Sequence, residues 1–260
     1  MNGIVVIDKP AGLTSHDVVS KVKKILGTRK AGHTGTLDPM ATGVLPVCLD
    51  EATKLAQFLT AENKTYRATM LLGIETNTQD IEGDVIKKSD RTVSEEEIRM
   101  TLGRFFGKIK QVPPAFSALK HKGRPLYQYA REGTFPDVAA RDVEIYRLEV
   151  LDISYPYVTF ETDCSKGTYV RTICSDAGKE MGCGACLSGL RRLRSGFFTE
   201  SMAVPLGDDS PEGKKKELFT KMLTMAESLP EFTEIRVSEA TAEMLKNGFQ
   251  PDVEMMRQNV

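Results

Sequence analysis

Histidine is scarce in this 260-residue chain, and the three present, His16, His33 and His121, are too scattered for metal-ligand spacing. Cysteine is little used as well. Cys183 and Cys186 form one Cys-x-x-Cys, but no second pair stands nearby to complete the four ligands zinc takes, so no metal is expected. The five cysteines are odd in number and dispersed, which suits a reduced, cytoplasmic protein better than a disulfide framework. No apolar run approaches the ~20 residues that cross a bilayer. The longest N-terminal one, Ile4-Val5-Val6-Ile7, is cut short by Asp8 and Lys9 and is too brief for a signal-peptide core. Gly-x-x-x-x-Gly-Lys-Ser/Thr and Gly-x-Gly-x-x-Gly are both missing, which removes the P-loop and the dinucleotide fingerprint. A net charge of −1 with 40% apolar residues excludes disorder as the dominant state. The length fits one large domain with a small appendage.

What is present is unevenly distributed. Lys108, Lys110, Lys120, Lys122, Arg124 and Arg131 follow one another with no acidic residue between, a local charge of +6. Further basic clusters are Lys21, Lys23, Lys24, Arg29 and Lys30, and Arg191, Arg192 and Arg194. Residues 75–97 instead carry eight acids against three bases. Solvated helix faces produce such runs, but so does a surface that tracks a phosphate backbone. Phe106, Phe116, Tyr127 and Tyr129, interleaved with the first run, strengthen the nucleic-acid reading without deciding it.

The pattern predicts a buried strand at Ile4–Asp8, then a helix capped by Ser15 that runs to Leu26 and stops at Gly27. Residues 32–43 read as a long irregular loop, 44–49 as a buried strand and 52–59 as a short helix. Tyr66, Ala68, Met70 and Leu72 alternate with Thr65, Arg67 and Thr69, as in a half-buried strand. Ser94 and Glu97 form a capping-box pattern before a helix through Ile98, Leu102 and Phe105. Residues 108–137 read as an excursion with a short helical piece near 126–130. Two strands, 143–153 and 157–164, meet at a tight Tyr155-Pro156 turn. A loop then enters a helix ending at Gly182. The class is α+β, with a mixed, mostly antiparallel central sheet flanked by helices and loops.

Asp38 lies in Gly32-His33-Thr34-Gly35-Thr36-Leu37-Asp38-Pro39-Met40-Ala41-Thr42-Gly43-Val44-Leu45. An aspartate before proline is commonly a turn residue whose carboxylate caps backbone N–H groups. Its setting argues for more: three glycines allow close backbone approach, a histidine stands five residues upstream, and Leu37, Met40 and Val44 bracket the carboxylate. Such a group can serve as nucleophile, general base or electrostatic stabiliser.

This segment resembles the catalytic motif of the bacterial tRNA pseudouridine synthase B family. Further matches arrive in order: Asp8-Lys9-Pro10-Ala11-Gly12-Leu13-Thr14-Ser15, Lys64-Thr65-Tyr66-Arg67-Ala68, Gln111-Val112-Pro113-Pro114-Ala115-Phe116-Ser117-Ala118, Cys164-Ser165-Lys166-Gly167-Thr168-Tyr169-Val170-Arg171, and Leu190-Arg191-Arg192-Leu193. The resemblance spans residues 3 to about 200. It implies the pseudouridine-synthase fold and isomerisation of uridine 55 in the tRNA T-loop, on a flipped-out base and with no cofactor. It also implies site roles. Asp38 corresponds to the essential aspartate, Tyr66 to the tyrosine that stacks on the base and removes the C5 proton, and Arg171 to the arginine paired with the aspartate. Tyr169 corresponds to a substrate-contacting tyrosine, His33 to a histidine touching the displaced RNA, and Leu190 to an apolar wall of the uracil pocket. Taken singly, Tyr66 also reads as a core tyrosine, Arg171 as a surface ion pair and Leu190 as plain core. Arg171 is expected to keep Asp38 ionised and to assist Tyr66.

By the same resemblance, residues 1–231 form the catalytic domain and 108–137 a thumb that closes over RNA. Residues 232–260 resemble only the opening of a PUA-type module, and residues 206–260 carry eleven acids against seven bases, a poor RNA surface. The expected partner is tRNA, with no membrane, no obligatory protein partner and a monomeric state. A guide-RNA-dependent relative and a non-catalytic protein that grips the tRNA elbow are the alternatives. The missing C-terminal module and the lack of a basic extension count against the first, and the set Asp38, Tyr66 and Arg171 favours an enzyme over the second.

Overall fold

The computed structural model describes residues 1–207 and 210–252. The first half holds strands β1 (Gly3–Lys9), β2 (Ala31–His33), β3 (Thr42–Leu49), β4 (Lys64–Leu72), β5 (Ile74–Thr76), β6 (Val85–Lys88) and β7 (Gly107–Gln111). Helices α1 (Ser15–Leu26), α2 (Ala56–Leu59) and α3 (Glu95–Gly103) lie between them. The second half begins with a small hairpin, β8 (Lys120–His121) and β9 (Arg124–Pro125), and helix α4 (Leu126–Arg131). Strands β10 (Arg141–Ser154) and β11 (Tyr157–Cys164), helix α5 (Val170–Glu180) and strands β12 (Ala185–Ser195), β13 (Phe198–Thr199) and β14 (Val204–Pro205) follow. Helices α6 (Pro211–Thr220) and α7 (Glu239–Lys246) come last.

One sheet organises the molecule, in the order β14-β1-β3-β12-β4-β11-β10-β7, with β2 beside β3 and β13 beside β12. Among the strands of this sheet, β1–β14 and β3–β12 pair in parallel and the other pairs are antiparallel, as expected. β1 and β3 are buried on both faces. Val5, Ile7, Leu45, Val47 and Leu49 join the core that contains α1 and α5, whereas Ile4, Val6, Val44 and Cys48 pack with Leu59 and Phe198 on the other side. Two-sided burial explains their unbroken apolar runs. β4 is different. Tyr66, Ala68, Met70 and Leu72 face the main core, while Arg67 and Thr69 point outward to Glu161 and Thr159 on β11. Such cross-strand pairs fix the register of β4 and thereby the position of Tyr66.

Several local expectations need correction. Thr14, not Ser15, caps α1: its hydroxyl accepts the Asp17 N–H, and the Asp17 carboxylate accepts the Thr14 N–H in return. Ser15 is thereby released to turn inward. Only half of the second capping box forms, because Ser94 accepts from Glu97 N–H while the Glu97 carboxylate pairs with Arg91. Phe105 falls beyond the end of α3. Lys108–Gln111 belong to the edge strand β7, paired with β10, so the chain leaves the sheet only after Gln111. Residues 239–246 are helical, and 253–260 of the C-terminal segment lie outside the described residues. No helix among the described residues is long and apolar enough to cross a membrane.

Candidate active site

Asp38 sits in the loop between β2 and β3, and buried groups pin this loop on three sides. Lys9 ends β1 on the face of Val5 and Ile7, so its side chain runs inward and is 0% exposed. Its ammonium donates to the carbonyls of Pro39 (2.9 Å), Ala41 (2.7 Å) and Pro10 (3.0 Å). Ser15 holds the other flank, accepting the Leu37 N–H at 2.8 Å and donating to the Leu37 carbonyl at 3.1 Å. Arg192, 1% exposed on β12, donates from Nε to Val44 O (2.7 Å) and from Nη2 to Gly35 O (3.1 Å). Gly43 has φ +101°, and a Cβ there would lie 2.2 Å from the Arg192 carbonyl. Only glycine lets β3 start beside β12 at that point.

The loop projects Asp38 into a cleft of about 560 Å³, lined also by Tyr66, Tyr169, Arg171, Leu190, Lys64, Lys166 and Arg192. Among the described residues the Asp38 carboxylate caps no backbone N–H; only its main-chain carbonyl makes a turn bond, to Ala41 N–H. Its partner is Arg171, whose Nε lies 3.5 Å from Oδ2 and, although buried, makes no hydrogen bond. Nη1 of the same guanidinium reaches Thr78 O and Asp80 Oδ2, both at 3.4 Å, and Nη2 donates to Phe116 O at 2.7 Å. Arg171 also lies over the Tyr169 ring, 5.8 Å from its centroid.

The electrostatics differ from expectation in two respects. Arg171 does lower the Asp38 pKa, but burial, aided by the Asp80 charge, outweighs it and holds the carboxyl above the usual carboxylate range. Burial likewise raises the Tyr66 phenol, and the cation opposing that is Arg192, not Arg171. Strand register explains why: Arg192 is the direct cross-strand partner of Tyr66. The Lys9 and Lys64 ammonium groups are both pulled down to about 8 by burial. Lys64 is held by the carbonyls of Thr60 (2.8 Å) and Glu62.

Five of the six anticipated site residues therefore share one cleft. His33 does not line it; it stands two residues before Gly35, which does. Its Nδ1 accepts the Gly35 N–H at 3.3 Å, and burial with the Arg192 charge lowers its pKa, which leaves Nε2 as the donor of a neutral ring.

Comparison with known proteins gives a consistent result. The model of the TruB family pseudouridylate synthase N-terminal domain matches residues 23–170, and that of the tRNA pseudouridylate synthase B C-terminal domain matches 171–209. The chain belongs to the TruB family. A tRNA pseudouridine synthase B from Syntrophus aciditrophicus is 51% identical over 259 residues, covering 99% of this chain and 83% of the relative. One from Clostridium acetobutylicum is 44% identical, covering 95% and 84%. Among solved structures, a Cbf5-Nop10-Gar1 complex matches with TM-score 0.73 and 32% identity over 95% of this chain and 67% of that one. An H/ACA RNP bound to a substrate RNA containing 2′-deoxyuridine matches with TM-score 0.71 and 31% identity, at the same coverage.

Within this TruB-family site, four contributors escape a reading of the sequence. Arg191, Arg192 and Arg194 look like a basic surface, yet Arg192 is buried, Arg191 pairs with Asp8 and Glu200, and Arg194 approaches Asp163. Lys9 looks like a turn residue, although period-two alternation from Val5 and Ile7 already points it inward. Asp80, 5% exposed, is hidden within an acidic stretch. Gln111 carries no charge to draw notice.

Proposed function

We propose that this chain isomerises uridine 55 in the T-loop of tRNA to pseudouridine, with Asp38 as the reacting carboxylate on a flipped-out nucleotide. The observation that carries this reading is the Asp38 carboxylate. Among the described residues it makes no turn-capping bond; it faces Arg171 and shares a cleft with the Tyr66 ring and Leu190 in a TruB-family chain. The reaction breaks the C1′–N1 bond, turns the uracil and joins C1′ to C5 with loss of the C5 proton. Nothing is oxidised or reduced, so carboxylate, phenol and guanidinium groups suffice and no cofactor is required.

A stacked uridine cannot reach Asp38, and extruding it costs a few kcal/mol. Phosphate contacts from Lys120 and Lys122 on the exposed β8–β9 hairpin offset that cost. The Tyr66 face and the Leu190 wall retain the detached uracil, and the phenolic oxygen takes the C5 proton as its own O–H proton passes on, the product gaining its proton at the N1 freed by cleavage. Burial raises the Asp38 pKa above the usual carboxylate range, which makes its ionised form a better nucleophile, and the Arg171 charge opposes that rise. His33 offers Nε2–H to RNA at the approach to the cleft. We read the chain as a monomer that needs no obligatory protein partner. In the same reading residues 1–231 form the catalytic unit, 108–137 the thumb with its root in β7, and 232–260 the opening of a PUA-type module.

The test is incubation with an unmodified tRNA transcript and single-nucleotide mapping of pseudouridine. Signal at position 55 alone is expected. A protein that binds the transcript but leaves every uridine intact would favour the non-catalytic reading.

A further inference from the structure

We propose that Gln111 is a positioning residue through which the seat of the thumb sets the Arg171–Asp38 contact. The inference rests on Asp38 and Arg171 being the reaction centre. Gln111 is the last residue of β7, 3% exposed, where the chain leaves the sheet. Its side-chain amide clamps one backbone unit: Oε1 accepts the Tyr169 N–H at 2.7 Å, and Nε2 donates to the Tyr169 carbonyl at 3.0 Å. Tyr169 is the cap residue of α5, and its carbonyl also accepts from Thr172 and Ile173 N–H, so fixing it fixes the first turn. Arg171 lies in that turn.

A second tether stands five residues beyond Gln111, where the Phe116 carbonyl accepts from Arg171 Nη2 at 2.7 Å. Between the two tethers a cavity of about 650 Å³, lined by Val112, Pro113, Pro114 and Ala115 on one side and Thr172, Asp176 and Lys179 on the other, lies between the segment and α5. The bonds to Tyr169 and from Arg171 are therefore direct routes from the 112–116 segment to the first turn of α5. The receiving contact is poised to respond. Arg171 Nε is buried without a hydrogen bond, 3.5 Å from Asp38 Oδ2, and a shift of about half an ångström separates that distance from hydrogen-bond range. A side chain that places Tyr169 thus decides how strongly the guanidinium engages the carboxylate.

Gln111→Met and Gln111→Glu test this. Met removes both bonds. Glu keeps the shape; ionised, it sets an oxygen against the Tyr169 carbonyl, and protonated it restores the donor. Both variants are expected to bind tRNA as wild type and to lose about ten- to hundredfold in single-turnover rate near neutral pH. Relative to wild type at each pH, Glu should regain rate as the pH falls, and Met should not. Loss of rate and binding together, in step with a lower unfolding midpoint at every pH, would reduce Gln111 to a structural role and overturn the proposal. A second readout is independent of turnover: the ¹⁵Nε–¹H resonance of Arg171, assigned with Arg171→Lys, should move in Gln111→Met. An unmoved resonance overturns the proposal whether or not the protein modifies tRNA, whereas a moved resonance in a protein inactive on tRNA supports the coupling and removes only the functional reading.

Discussion

Replacing Lys9 with Met keeps the apolar stem and removes the ammonium that anchors the Asp38 loop, and its effects on stability and rate should part company. The Lys9 pKa falls from 10.5 to about 8 in the fold, chiefly through burial. At ~1.4 kcal/mol per pH unit, the charged form is about 3 kcal/mol less at home there than in the unfolded chain. Below pH 8 both states hold the proton and this penalty is fully present. As the pH rises through 8 the folded chain releases its proton, while the unfolded chain keeps it until about 10.5, so stability climbs across that window. Met abolishes this part of the climb; Lys64, lowered to about 8 as well, supplies the same slope in both proteins. Against the relief of a buried charge, Met withdraws a donor from three carbonyls. Pro39 O retains the Gly12 N–H, and the Pro10 bond is only part-buried, which leaves Ala41 O as the main loss, about 1–3 kcal/mol. The two effects nearly cancel at neutral pH, so urea unfolding should place the variant within about 2 kcal/mol of wild type. With Asp38 as the proposed reacting carboxylate, turnover should fall about a hundredfold as its position is lost. Urea titrations between about pH 7 and 10, paired with single-turnover rates, measure both. A variant whose stability rises with pH as steeply as wild type, or one that keeps its rate, would refute this account of Lys9.

Asp38→Asn should abolish product while leaving tRNA binding and folding intact, as read by pseudouridine mapping and filter binding; in wild type, the rate should fail on acidification at a pH above the ordinary carboxylate range, because burial raises Asp38. Lys120→Ala with Lys122→Ala should flatten the slope of log affinity on log salt by about 0.7–0.9 for each phosphate that the hairpin no longer neutralises. Arg124 is tied to Glu132 and Gln128 and stacks on Tyr129, so its removal should lower the unfolding midpoint more than the salt slope. Tyr66→Phe preserves a stacking face worth roughly 1–3 kcal/mol and deletes the phenolic oxygen; near-normal binding with very slow tritium release from C5-labelled uridine is expected, and wild-type release would eliminate the base role.

Much of this architecture is legible in the chain because burial is written as periodicity. The Tyr66 alternation places that ring on the core face, and the two-sided burial of β1 and β3 appears as Ile4–Ile7 and Val44–Leu49. Asp38 stands out for the loop that carries it. The companions of Asp38 are harder to see, since each breaks an otherwise dependable pattern. The alternation of β12 is interrupted by register shifts at Leu187/Gly189 and Arg192/Arg194, so counting by twos along the whole strand fails, and only the step from Leu190 points Arg192 inward while its neighbours meet carboxylates. Ser15 looks like a cap because it begins a helix, and only the reciprocal Thr14–Asp17 bonds free it for Leu37.

The titratable groups in and behind the cleft have one property in common. Burial disfavours the charged forms of Lys9, Lys64, Asp38 and Tyr66 alike, and the fold accepts these costs around a single cleft and the loop behind it. Lys9 and Arg192 spend their donors on backbone carbonyls of the Asp38 loop, and Arg171 spends its own on Thr78, Asp80 and Phe116. What remains uncommitted is the Arg171 Nε edge facing Asp38. A site built this way holds its dipoles rigid before substrate arrives, so the charge that moves during reaction meets groups already in place. The same arrangement lets remote anchors such as Lys9 and Gln111 act on the rate through the groups they place.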